Sequence, residues 1–153
     1  MIVVEVIGKG YDLRRLIAEI NAASWDDANE MAEYDVVALK NYIDHQGTVF
    51  LACHEIANGE RTLLGIASSR LELKPYGGER WLYIDEVDVC ANQRRRGAGT
   101  AMMKKLFEIA KAADCEEVWL ATEATNLAAD SLYRSLKPVD VADVVGYTYK
   151  LNG

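Results

Sequence analysis

The feature that most constrains the fold is a change of hydrophobic period. Residues 48 to 90 hold three strand-forming runs in succession, TVFLACHEI, TLLGIASSRLEL and WLYIDEVDVC, rich in β-branched and aromatic side chains. ANGER, with its Asn58-Gly59 step, joins the first two, and KPYGGER joins the second to the third. Runs linked by turns this short pair antiparallel, as a meander. After Gly99 the pattern turns helical: Met102, Leu106, Ile109 and Ala113 share one stripe, leaving Lys104, Lys105, Glu108 and Lys111 for solvent. EEVWLAT then reads as a short strand. A strand reached through a helix returns parallel, by a right-handed crossover.

The flanks complete the order. IVVEVI (residues 2 to 7) predicts a strand, and Leu13, Leu16, Ile17 and Ile20 predict a helix. Ser24 or Asp26 would cap a second helix carrying Met31, Tyr34, Val37, Leu39 and Tyr42. NLAADSLYRSL predicts a further helix with Asn126 as N-cap, and ADVVGYTYKL a last strand. The expected fold is therefore α+β, a mixed β-sheet flanked by helices in the order β-α-α-β-β-β-α-β-α-β. No linker or repeat divides residues 1–153, so a single domain is expected. A doubly wound fold would need helices between the early strands, where none fits.

Charge narrows the partners. With 17 basic and 24 acidic side chains the net charge is -7, which argues against nucleic acid and accords with a cationic substrate. The N-terminal run lacks the pattern of a signal peptide, and no apolar stretch has membrane-spanning length, so a cytoplasmic protein without membrane contact is expected. Cys53, Cys90 and Cys115 are odd in number and share no C-x-x-C spacing, which leaves them as buried small hydrophobes. His45 and His54 stand apart from any ligand cluster, so no metal is expected.

One stretch remains unusual. In VDVCANQRRRGAGTAMMKKLFEIA, residues 87 to 110, three arginines meet a Gly-Ala-Gly step where a strand becomes a helix. Such a turn leaves the first backbone N–H groups of the helix unpaired, converging on one spot, and the helix dipole adds about 0.3–1 kcal/mol per anion contact. This is chemistry for phosphate. A nucleotide P-loop is absent, and the dinucleotide fingerprint fails because Met102 stands where a third glycine or an alanine belongs. The plain alternative is an ordinary strand-to-helix turn beside a solvated arginine cluster.

The pattern Arg94-x-x-Gly97-x-Gly99 resembles the acetyl-CoA signature of the GNAT superfamily of N-acetyltransferases, and Asn126-x-x-Ala129-x-x-Leu132-Tyr133 is similar to its second signature. The order of elements is similar across nearly the whole chain. The layout of the meander and the stretch TEATNLAADSLYRSL resemble small bacterial members similar to aminoglycoside 3-N-acetyltransferases. One departure is Leu136-Lys137-Pro138, where the family often carries Gly-Phe.

The resemblance implies a sheet that splays after the third meander strand, with acetyl-CoA as acyl donor. Its pyrophosphate would rest on Arg94, Arg95, Arg96, Gly97, Ala98, Gly99 and Thr100. Its pantetheine arm would pair with the edge of Val87, Asp88 and Val89 and contact Asn126 and Tyr133. An amide near Val89 would hold the developing oxyanion. Glu86, with Asp85 second, would accept the amine proton, and Asp85, Glu86 and Glu123 would line the acceptor site. Alternation separates Asp85 from Glu86, which shares a face with Asp88, and a bulge would change this. Asp88 reads otherwise as a solvated edge charge. Tyr133 would protonate the leaving thiolate, its plain alternative being a core aromatic, and Asn126 is otherwise a simple N-cap. Cys90 is expected to be a structural thiol and not an acyl carrier. The implied reaction is direct acetylation of a small cationic amine, aminoglycosides (and so antibiotic resistance) first. Protein N-termini, lysine or polyamines are alternatives, as is a silent acyl-CoA-binding module. A homodimer is left open.

Overall fold

The computed structural model describes residues 1–152, the side chain of Ala28 excepted. Contacts group the chain into two compact units, Met1–Leu120 and Ala121–Gly153. In the first, β1 (Ile2–Val6), β2 (Thr48–Ala57), β3 (Glu60–Leu73), β4 (Arg80–Val89) and β5 (Glu117–Trp119) form one sheet in sequential order. The β1–β2–β3–β4 pairings are antiparallel and β4–β5 is parallel, the mixed arrangement that the periods predict. Asn58 and Gly59 both take positive φ, 53° and 77°, at the β2–β3 turn.

Alternation along the strands sends side chains to two helical layers. Against one face lie α1 (Leu13–Ala22) and α2 (Val36–Asp44), where Leu16, Ile17, Ile20 and Leu39 pack with Phe50, Ala52, Ile66 and Cys90. The third helix, α3 (Ala98–Ala112), buries Met102, Met103, Leu106 and Ala110. Its stripe thus passes through Met103 and Ala110; Ile109 and Ala113 stay half-buried. Asp12 caps α1 by accepting from the Arg15 N–H at 3.1 Å, and Asp35 caps α2 by accepting from Ala38 at 2.8 Å. The second helix therefore begins eleven residues later than Ser24, or nine later than Asp26, would start it. A single 3₁₀ turn at Asp27–Asn29 takes up the acid-rich segment in between, because Asp and Asn favour local turns over a helix interior.

The second unit contains α4 (Leu127–Ser135), capped by Asn126, whose side chain accepts from Ala129 at 3.1 Å. The strand expected over residues 142–151 is not formed: these residues have no regular structure and are exposed, Tyr149 at 81%. Their alternation suits a strand, but a strand exists only through pairing, and this unit offers no second strand among its described residues. No described helix is long and apolar enough to cross a membrane.

Candidate functional site

The acidic segment of β4 is shaped by a bulge. Ser68 of β3 pairs with Glu86 and Ser69 with Ile84, leaving Asp85 as the extra residue. Strict alternation would place Asp85 and Glu86 on opposite faces; with the bulge, both line one cavity of about 450 Å³. Its other walls include Tyr34, Tyr42, Phe50 and Ser68, with Glu33 and Asp35 from the segment entering α2. The cavity is apolar at its floor and acidic around it, suited to a cation carried on a compact body.

The two acids differ in what holds them. Arg70 forks onto Asp85, donating from Nε at 3.0 Å to Oδ2 and from Nη2 at 3.1 Å to Oδ1. Glu86 has no cationic partner among the described residues. Part of it reaches solvent, but desolvation of its carboxyl raises its pKa, helped by the negative charges of Asp88 and Asp85. Asp88 is 7% exposed, not the solvated edge charge that its sequence position suggests. Burial raises its pKa as well, opposed by hydrogen bonds, the first from Asn29, whose Nδ2 donates to Oδ1 at 2.5 Å. Desolvation and the charges of Glu86 and Asp88 push the Tyr34 phenol up to about 12, so it stays neutral beside them. Tyr42 donates from its hydroxyl to the Ser69 carbonyl at 3.0 Å, bracing the cavity against β3.

Beyond the bulge the sheet opens. β5 pairs with β4 only opposite Trp81, Leu82 and Tyr83, so from Ile84 to Val89 that edge of β4 has no strand beside it among the described residues. This is the splay that the resemblance implies. At the end of β4, Cys90 donates its N–H to Leu64 at 2.8 Å and Ala91 to Ser24 at 2.7 Å, fixing where the chain leaves the sheet. Gly65 makes the close approach of β3 and β4 possible here, since a Cβ on it would lie 2.5 Å from the Asp88 carbonyl and 2.8 Å from the Met102 methyl.

The arginine turn follows. Gly97 stands at the N-cap of α3 with φ 84° and no side-chain cap, and its Cβ position has no atom within 4 Å. The N–H groups of Ala98, Gly99 and Thr100 thus begin the helix without intrahelical partners. Arg94 is paired with Asp26 and Arg96 with Glu55, while Arg95, at φ 63°, makes no ion pair among the described residues. These donors fit a pyrophosphate: fixed amides, open space above a glycine, and guanidinium groups whose half-exposed partners can be exchanged.

Glu123, Asn126 and Tyr133 belong to the second unit. Glu123 is exposed, Asn126 caps α4, and Tyr133 is half-buried on that helix. Cys90 is 1% exposed and burial pushes its thiol up to about 11, as it does Cys53, so neither offers a thiolate at neutral pH. Cys115, expected to be buried, is only half so. His54, isolated in the sequence, is enclosed in space: Nε2 lies 2.6 Å from Glu19, and Nδ1 3.1 Å from Arg61. Sequence reasoning missed Asn29, Tyr34 and Arg70. Only the polar residues interrupting the apolar pattern before α2 hinted at the first two. No three His, Cys, Asp or Glu side chains gather as a metal site among the described residues.

A splayed mixed sheet with an uncapped glycine turn after its fourth strand defines a class, and the comparisons agree. The sequence model of the acetyltransferase (GNAT) family matches residues 12–137. The chain belongs to this family. N-alpha-acetyltransferase 30 of Xenopus laevis is 41% identical over 71 residues, which cover 46% of this chain and 25% of that one. The human counterpart is also 41% identical over 71 residues, 19% of its length. This chain thus spans a quarter or less of those curated relatives. Among solved structures, the aminoglycoside acetyltransferase meta-AAC0020, from an uncultured soil metagenomic sample and in complex with trehalose, superposes with a TM-score of 0.81. It is 20% identical, with 99% of this chain and 97% of that one covered. A ribosomal-protein-alanine N-acetyltransferase of Brucella melitensis gives 0.70 at 14% identity, covering 99% and 100%.

Proposed function

We propose that this protein is an acetyl-CoA-dependent N-acetyltransferase that acetylates a primary amine of a small cationic substrate, with aminoglycosides the first class to test. The observation that carries this reading is the strand β4, which among the described residues has no strand partner on its β5 side from Ile84 to Val89 and, on one face, has an acid with a raised pKa in a cavity. Acetyl-CoA would supply the activated acetyl group. The residues that would hold it are Gly97 to Thr100 by their amides, Arg94 to Arg96 by charge, and the backbone of Val87, Asp88 and Val89 by strand-like pairing.

An alkylammonium, pKa about 10, must lose a proton before it can attack. Glu86 is the base for this step: its raised pKa narrows the gap to the ammonium, and its charge first attracts the cation. Asp85, engaged by Arg70, serves as fixed negative charge in the cavity wall. Tyr133 is the proposed source, at its hydroxyl, of the proton for the leaving sulfur. Asn126 and Glu123 keep the roles that the family resemblance implies.

Two likenesses bear on the acceptor. A second meta-AAC0020 structure, in complex with sisomicin, matches with a TM-score of 0.81 at 19% identity, favouring an aminoglycoside. The 41% identity to N-alpha-acetyltransferase 30 favours a protein N-terminus. The cavity, about 450 Å³ and ringed by carboxylates, supports the compact polycation. Three cysteines without a disulfide accord with a cytoplasmic setting. Release of free thiol from acetyl-CoA, followed with aminoglycosides, polyamines and peptides bearing free N-termini, tests the reading. Fast turnover with aminoglycosides is expected, turnover confined to peptides would favour the second reading, and cofactor binding without turnover would leave a silent module.

A further inference from the structure

Asp88 presents a problem of its own. It is 7% exposed, and Asn29 satisfies Oδ1. Oδ2 is buried with no hydrogen-bond donor. An ionised carboxylate oxygen left so costs several kcal/mol. Glu86 stands two residues away on the same face of β4, and the two carboxyls act on each other through a side-chain hydrogen bond. Two carboxylates cannot bond each other, but a carboxylic acid and a carboxylate can.

We propose that Asp88, anchored by Asn29, is a positioning residue for Glu86: its Oδ2 accepts a hydrogen bond from the Glu86 carboxyl once Glu86 has taken a proton, so that the two acids hold that proton jointly. The inference rests on the reading of Glu86 as base. The balance is simple. A proton leaves the ammonium nitrogen, which regains its lone pair, and binds Glu86; the charge of the pair goes from -2 to -1. Glu86 reaches solvent and passes the proton there, restoring the pair.

The directions of the pKa shifts agree: burial raises both acids, the charge and hydrogen bond of Asp88 raise Glu86 further, and the hydrogen bonds of Asn29 and Glu86 only partly oppose the rise at Asp88. Other groups surround the pair. On β4, Asp85 adds negative charge, and Arg70 of β3 neutralises it. From the segment leading into α2, Tyr34 faces both acids, with Glu30, Glu33 and Asp35 in the same cavity wall, and α2 itself contributes Tyr42. None of these supplies Oδ2 with a donor.

The test is infrared titration of the carboxyl C=O band of the free protein, with Glu86→Gln identifying the Glu86 contribution. In Asp88→Asn the band should titrate at lower pH than in the wild type, because the neighbouring charge is gone. In Asn29→Ala it should titrate at higher pH, because Asp88 loses its donor and binds the shared proton more tightly. Opposite displacements from two conservative changes are not what a packing role would give. An unmoved band in Asp88→Asn overturns the shared proton whatever the activity. The pH dependence of kcat/KM then tests the underlying reading separately: its acid limb should follow the band in both variants, with turnover above the limb reduced about tenfold in Asp88→Asn. A moved band beside an unmoved limb upholds the pair and removes Glu86 as the base.

Discussion

Two polar segments flank the C-terminal end of β4 and treat charge in opposite ways. In the arginine turn, Arg94 and Arg96 each face an opposite charge, Asp26 and Glu55, and the four side chains are partly exposed, 31–47%. In the bulge, Glu86 and Asp88 set like charges side by side, one of them buried. Exposed opposite pairs are worth roughly 0–1 kcal/mol and exchange partners cheaply, which suits a site that must release its cations to an incoming anion. Like charges half-withdrawn from water destabilise the fold, so such an arrangement points to function. The exception within the bulge is Asp85, which Arg70 turns into an ordinary ion pair.

The most direct way to break this contrast is Glu86→Gln, which keeps shape and removes the proposed base. Turnover on the best amine should fall by about 10²–10⁴-fold with little change in acetyl-CoA affinity; Asp85→Asn should fall far less. Glu86→Gln should also raise the urea midpoint at pH 8. A carboxyl whose folded pKa is raised binds protons more tightly when folded, so its cost to stability is present above that pKa and fades as pH falls through it. A variant both slower and more stable would show that the bulge serves chemistry at the fold's expense.

Next in size is Gly65→Ala. Its Cβ would lie 2.5 Å from the Asp88 carbonyl and 3.3 Å from the Val89 Cα, so β4 must shift where both segments are anchored. A stability loss of about 1–3 kcal/mol is expected from denaturant unfolding, and the KM for acetyl-CoA should rise with it.

How far these features were legible in the sequence depends on whether they are local. The meander, the crossover and the arginine turn are written in period and spacing, and β2, β3, β4 and α3 fall where those signals put them. The bulge is not: nothing in IDEVDV says that Asp85 is the extra residue, because that is decided by register against Ser68 and Ser69. Nor could Asn29, 59 residues from Asp88, be recognised as its anchor. The strand expected at 142–151 failed for the converse reason, a correct local pattern without a pairing partner in its unit. The cluster of acids at residues 85 to 88 was readable; which of them is ion-paired and which is not required the sheet.

His54 sharpens the contrast from a third place. It is fully buried, and desolvation lowers its pKa, outweighing the hydrogen bond that it donates to Glu19, which raises it. The unfolded imidazole gains a proton as pH drops below about 6.5, whereas the folded one resists it. The unfolded state then binds more protons, so stability present above that pH is lost on acidification. Urea midpoints at pH 7.5 and 5.5 should therefore separate more in the wild type than in His54→Gln. Equal separation would mean that burial and Glu19 cancel at this imidazole, and a smaller separation in the wild type that Glu19 keeps it protonated, making this cluster one of opposite charges like the arginine turn.

The smallest effect is expected at the turn itself. Arg96→Ala removes an exposed pair with Glu55, so unfolding should shift by less than about 1 kcal/mol. If that guanidinium serves the pyrophosphate, the KM for acetyl-CoA should nonetheless rise, and rise less at high salt, where screening already weakens the contact in the wild type. The diagnostic is the pairing of the two results. A change in KM without a change in stability marks a cation held in reserve for an anion; a change in stability alone would make Arg96–Glu55 an ordinary surface bridge and leave the cradle to Arg94, Arg95 and the amides of α3.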